Sequence, residues 1–77
     1  MNPDLDWLAR MSLEEFREVF RGTPVKRAKY TGLLRNVAIV MGNSGEERFL
    51  PILDELASHT DAAVREAAEW AIRKLRS

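Results

Sequence analysis

Seventy-seven residues without a cysteine make one small domain, which buries only about 60% of the surface its unfolded chain exposes, so binding is favoured over catalysis in a buried cleft. The missing thiols exclude disulfides, thiolate zinc sites and iron–sulfur ligation within these residues, and they fit a reducing compartment. Twelve basic and twelve acidic side chains cancel overall, yet residues 17–36 hold Arg17, Arg21, Lys26, Arg27, Lys29 and Arg35 against Glu18 alone, so one face is expected to meet an anionic partner.

Every segment has helical periodicity and none alternates strictly between apolar and polar residues, so the chain reads as all-α. Asn2-Pro3 supplies an N-cap and a first-turn proline for a short first helix through Leu5, Leu8 and Arg10. Ser12-Leu13-Glu14-Glu15 is a capping box, in which the Ser12 hydroxyl accepts from the Glu15 N–H while the Glu15 carboxylate reaches back to Ser12. The second helix opened there carries Leu13, Phe16 and Phe20 on one stripe and is expected to close at Gly22. Thr23-Pro24 repeats the cap-then-proline signal for a third helix with the stripe Leu34, Val37, Ala38 and Met41, ending at Gly42-Asn43-Ser44-Gly45. Gly32 inside it costs about 1 kcal/mol relative to alanine, which predicts either a kink or a neighbour packed close against it. The fourth helix holds Phe49, Leu50, Leu53, Leu56 and Ala57. Pro51 lacks an N–H, so the regular part is expected to start near Leu50 after a distorted turn from Glu46. Asp61 caps a fifth helix from Ala62 to about Leu75, striped by Val64, Ala67, Ala68, Ala71, Ile72 and Leu75.

Residues 34–42 match residues 64–72: Leu34-Arg35 falls on Val64-Arg65, Val37-Ala38 on Ala67-Ala68, and Met41 on Ala71. Two amphipathic helices in chance register give a similar match. Alanines at the facing positions let helices approach closely, however, which favours an α-solenoid in which each hairpin buries its apolar face on the next. The expected organisation is a single domain, a helical hairpin over residues 1–22 joined to a helical repeat over residues 23–77.

The most informative stretch runs from Phe20 to Lys29. A helix N-terminus is already partly positive, so lysine or arginine in its first turn is disfavoured by about 0.3–1 kcal/mol each. Lys26 and Arg27 stand there all the same. With Arg21 and the Gly22-Thr23 N–H groups they can converge on an anion, and a phosphate would relieve their repulsion. Arg35, eight residues beyond Arg27, is expected on nearly the same side, carrying the basic surface along the helix. A solvated basic face, partly neutralised by Glu14, Glu15 and Glu18, explains the charges equally well. Phosphate contacts position a partner without reading its sequence, so such a patch supplies affinity rather than specificity.

The remaining polar and aromatic residues read as structural. Arg65 is expected to pair with Asp61 or an acid of the fourth helix, and Tyr30 to pack rather than stack on a base. Trp7 and Trp70 are expected to cover core edges; Trp70, off the alanine stripe, faces a neighbouring helix or a further part of a larger protein. His59 lies near the end of the fourth helix, where a cation suits the dipole, and no second histidine or cysteine joins it to hold a metal. Glu14-Glu15 and Glu46-Glu47 point apart on their helices, and no catalytic constellation emerges. No apolar run approaches the ~20 residues of a membrane span, and Met1 to Asp6 lacks the features of a signal peptide. A soluble, cytoplasmic chain without a membrane partner is expected.

Glu14-Glu15-Phe16-Arg17, Phe20-Arg21-Gly22-Thr23-Pro24-Val25-Lys26-Arg27-Ala28-Lys29, Gly32-Leu33-Leu34-Arg35-Asn36-Val37-Ala38 and Gly42-Asn43 closely resemble the C-terminal region of the epoxyqueuosine reductases. Leu50-Pro51-Ile52-Leu53 and Ala63-Val64-Arg65-Glu66-Ala67-Ala68-Glu69-Trp70-Ala71 resemble the HEAT-like repeats that close those enzymes. The likeness covers nearly the whole chain. It implies a right-handed HEAT-like α-solenoid fragment of about five helices, one unit and a half behind an N-terminal hairpin. The family reduces epoxyqueuosine to queuosine at the tRNA wobble position, using cobalamin and two four-iron four-sulfur (4Fe-4S) clusters held upstream of this region. The resemblance therefore implies a non-catalytic accessory domain, without cofactor or metal of its own, beginning at an artificial Met1 and docked on the catalytic part of its parent chain. The implied role is to hold tRNA by its phosphate backbone through Arg21, Lys26, Arg27, Lys29 and Arg35. The family often carries basic residues where this chain has Tyr30-Thr31, a departure that thins the patch. The competing reading is a protein-interaction scaffold of the HEAT-repeat type.

Overall fold

The computed structural model describes residues 5–19 and 27–77, and among them all regular structure is helical. The first helix, α1 (Leu5–Ala9), ends as the Arg10 N–H bonds to the Asp6 carbonyl at 3.1 Å and the Met11 N–H to that of Leu8 at 3.3 Å. The second, α2 (Leu13–Val19), opens on the expected capping box: the Glu15 N–H donates to Ser12 Oγ at 3.1 Å, and the Ser12 N–H donates to the Glu15 carboxylate at 3.1 Å. The Asn2-Pro3 and Thr23-Pro24 signals and the stop at Gly22 lie outside the described residues.

The long helix α3 (Arg27–Ser44) runs unbroken through Gly32, where an added Cβ would meet nothing within 4 Å. The close neighbour expected there stands instead at Gly42. A Cβ on Gly42 would lie 2.8 Å from both the Cα and the Cβ of Ala71 and 2.9 Å from Trp70 Cζ3, so the missing side chain lets α3 press directly on α5 (Ala62–Arg76). Gly42 therefore packs within the helix rather than ending it. The chain leaves α3 at Gly45, whose φ of +74° is the left-handed closing conformation. Ser44 fixes this exit, its Oγ donating to the Met41 carbonyl at 2.6 Å and accepting from the Glu46 N–H at 3.1 Å.

A 3₁₀ turn, Glu47–Phe49, leads into α4 (Leu50–Leu56), with Pro51 in the first turn where no N–H is required. This is the distorted turn that Pro51 demands. Asp61 caps α5, its Oδ1 accepting from the N–H groups of Ala63 at 2.9 Å and Val64 at 3.2 Å.

In space, α3 lies along α5, α4 covers α5, α1 bridges α3 and α4, and α2 rests on α3. Gly42 faces Ala71, and Arg35 shares a groove with Ala63 and Ala67, so α3 and α5 run side by side in the same direction. The thirty-residue offset read in the sequence is thus the lateral register of two parallel helices. Leu34 and Val64, Ala38 and Ala68, and Met41 and Ala71 are all buried at matching levels. Phe49, Leu34, Met41, Leu53 and Val64 are the largest fully buried side chains, and the body measures 42 × 31 × 15 Å. No helix among the described residues is long and apolar enough to cross a membrane.

Candidate nucleic-acid interface

From Arg27 to Ser44, α3 carries three cations and no acid. Its buried side is Tyr30, Leu34, Val37, Ala38, Met41 and Gly42, while Arg27, Lys29 and Arg35 are exposed. Among the described residues none of the three cations is ion-paired. Arg10 pairs instead with Glu55 at 3.2 Å and Arg48 with Glu46 at 2.9 Å. At 3.6 residues per turn, Arg27 and Arg35 are rotated by about 80° from each other, while Lys29 stands about 160° from Arg27 and about 120° from Arg35. Lys29 and Arg35 therefore stand on the solvent side of α3, while Arg27 lies in line with the buried stripe at the first described turn, so the three do not form a single row. Exposed Asn36 and Asn43 lie in the arc between Arg35 and Lys29. Arg21 and Lys26 lie outside the described residues.

Tyr30 holds the start of this helix in place. Its hydroxyl donates to the Met11 carbonyl at 2.6 Å, and its ring lies 5.6 Å from that of Phe16 and 6.3 Å from that of His59. At 7% exposure it is a packing residue, unavailable to a base. Burial raises its pKa above the ordinary 10.0; the Arg27 guanidinium opposes this and Glu15 adds to it. Thr31 Oγ1 turns back onto the carbonyls of Arg27 at 3.4 Å and Ala28 at 3.3 Å. Tyr30 thus ties α3 to the preceding segment, and Thr31 bonds back onto its own helix.

Arg65 is structural but not through an acid. It donates to the carbonyls of His59 at 2.9 Å and Thr60 at 2.8 Å, while Asp61 Oδ1 caps α5. His59 Nδ1 accepts from the Asp61 N–H at 3.0 Å, so the ring closes the turn between α4 and α5. No group of three His, Cys, Asp or Glu side chains among the described residues is placed to hold a metal ion.

One feature of this surface is not apparent from charge alone. Between α3 and α5 lies an open groove of about 380 Å³, lined by Arg35, Ile39, Ala63, Glu66, Ala67 and Trp70. Trp70 is 37% exposed, and the Lys74 ammonium lies 5.3 Å from its ring centre. The signal for it was the spacing Ala63, Ala67, Trp70, a second stripe of α5 beside the buried one, with small residues leaving the indole uncovered.

The chain is similar to an epoxyqueuosine reductase of Pseudomonas aeruginosa, 37% identical over 76 residues. The match covers 95% of this chain but spans only 20% of the length of that relative. No family model and no solved structure matches the chain.

Proposed function

We propose that the chain is a HEAT-like accessory domain that holds tRNA for an epoxyqueuosine-reducing enzyme and performs no chemistry itself. Arg21, Lys26, Arg27, Lys29 and Arg35 bind the phosphate backbone. The observation that carries the reading is α3: eighteen residues without an acid, and three exposed cations with no ion-pair partner among the described residues. A polyanion matches that surface because each phosphate neutralised releases condensed counterions. The similarity to the Pseudomonas enzyme supplies the context, and the parallel register of α3 and α5 supports the HEAT-like repeat within residues 23–77, behind a hairpin over residues 1–22.

Reduction belongs, in this reading, to the parts of such a cytoplasmic enzyme that this chain does not span, where cobalamin and two 4Fe-4S clusters would sit and on which the domain docks. The residues here do not fit a cluster, since the chain offers no thiolate.

The test is affinity for a tRNA anticodon stem-loop as salt is raised. Neutralising about four phosphates gives a slope of log affinity against log salt near −3. Replacing Arg27 and Lys29 together by glutamate is expected to abolish binding while leaving helical circular dichroism and melting nearly unchanged, because both side chains are exposed. A protein-interaction scaffold is favoured by Trp7, Val19 and Val40, each more than half exposed. It would bind a protein partner with little salt dependence, and RNA binding indifferent to both salt and the double substitution would overturn the tRNA reading.

A further inference from the structure

We infer that the groove between α3 and α5 is a nucleobase pocket, taking one unpaired RNA base against the Trp70 indole with Arg35 on the opposite wall. The inference rests on the RNA-holding function proposed above and adds a subsite to it. Exposed cations track a backbone but cannot tell a folded loop from a uniform duplex, whereas an aromatic platform reached only by an unpaired base can.

Four features of the groove suit a base. Ile39, Ala63 and Ala67 give it an apolar lining, and its volume of about 380 Å³ is on the scale of one heterocycle and its sugar. The Trp70 ring is held as well as exposed: its Cζ3 edge sits against the space left by Gly42, and 37% of the residue remains open. Arg35, exposed and without an ion-pair partner among the described residues, lines the groove itself, so a phosphate that it holds lies beside the groove. Lys74 touches the indole only through an exposed cation–π contact worth about 0.5–1 kcal/mol, which a phosphate can readily replace.

Glu66 on the rim sharpens the ligand further. Its carboxylate accepts but cannot donate, and it repels phosphate, so the backbone belongs on the Arg35 and Lys74 sides and the base edge toward Glu66 should present an amino group. An amphipathic helix from a protein partner fits less well. It needs an apolar furrow continued over several turns, whereas the apolar lining here is short and bordered by the charged Arg35 and Glu66.

The experiment uses the full chain with Trp7→Phe, which leaves Trp70 as its one tryptophan. Two RNAs of equal nucleotide count are titrated: a stem-loop with unpaired loop bases, and a fully paired duplex. The stem-loop should quench Trp70 emission, and the duplex should bind without quenching. In the otherwise native chain, Trp70→Ala should weaken stem-loop binding about tenfold and leave duplex binding unchanged, while Trp70→Phe recovers most of the loss. The quenching result needs no Trp70 variant, so a variant that misfolds does not blunt the test. If both RNAs bind and neither or both quench, the pocket is wrong and the basic surface stands. Should neither RNA bind, the RNA-holding function falls and the pocket with it. Trp70 emission that shifts with the protein's own concentration, and not with RNA, assigns the groove to a protein contact and equally overturns the proposal.

Discussion

The α3–α5 pair and the α1–α2 segment are both helical, but different forces hold them. The first is a packed interface in which the bare backbone of Gly42 meets Ala71 and the facing side chains are buried. The second consists of helices of five and seven residues, far below the length at which a helix persists alone in water. It is kept in place by burial of Ala9, Met11 and Phe16, by the exposed Arg10–Glu55 pair and by the Tyr30 hydroxyl on the Met11 carbonyl. One region should therefore respond to a single methyl group, the other to a single hydrogen bond.

The largest expected effect is in the shared core, at the turn between α3 and α4. Phe49→Ala empties a site where the ring is 1% exposed, and unfolding in urea should register a loss of about 3–5 kcal/mol. A loss below about 1 kcal/mol would mean that the turn before α4 carries little of the fold.

The two glycines of α3 separate packing from propensity. Gly42→Ala drives a Cβ into the Ala71 backbone and should cost about 1–3 kcal/mol, enough to outweigh alanine's better helix propensity. In the tethered half, Tyr30→Phe leaves the Met11 carbonyl unpaired and should cost about 1–3 kcal/mol, followed by loss of the α1–α2 amide protection in hydrogen exchange. At the small end, Gly32→Ala should stabilise by up to about 1 kcal/mol, because its Cβ enters open space. If Gly42→Ala also stabilised, the close approach of the two helices would be wrong.

Tyr30 also sharpens the comparison through pH. Its folded pKa lies above the ordinary 10.0, so the contribution of its protonated hydroxyl is complete below pH 10.0 and is lost as pH rises through the folded value. Thermal melts should therefore decline above that pH in the native chain, and less so in Tyr30→Phe. Ultraviolet titration of the only tyrosine should lag behind that of the unfolded chain. A midpoint at or below the unfolded value would contradict its burial.

Much of the helical plan was legible because it rests on local chemistry. Ser12-Glu15, Asp61 and Pro51 each bond, or fail to bond, within a few residues, and each marks the boundary that its chemistry requires. Placing the close helix contact was harder, since Gly32 and Gly42 are both α3 glycines and only the third dimension brings Ala71 against one of them. The same limit applies to Arg65. Its partner carbonyls at His59 and Thr60 become available through the bend of the α4–α5 turn, which no residue type announces. For the cations, sequence separates basic from acidic stretches well, yet the eight-residue step between Arg27 and Arg35 hides a rotation of about 80°. For the groove at Trp70, the Ala63, Ala67, Trp70 stripe marks the α5 wall, whereas the α3 wall needed two helices about thirty residues apart to be brought together.

The central claim is that the acid-free surface of α3 receives RNA phosphates. The measurement that tests it most directly is an amide chemical-shift titration of the chain with a tRNA anticodon stem-loop at low salt. Shifts should concentrate from Arg27 to Val40 and along the Ala63–Lys74 side of α5, and should collapse as salt rises. Shifts confined to α4, or unchanged in high salt, would contradict it.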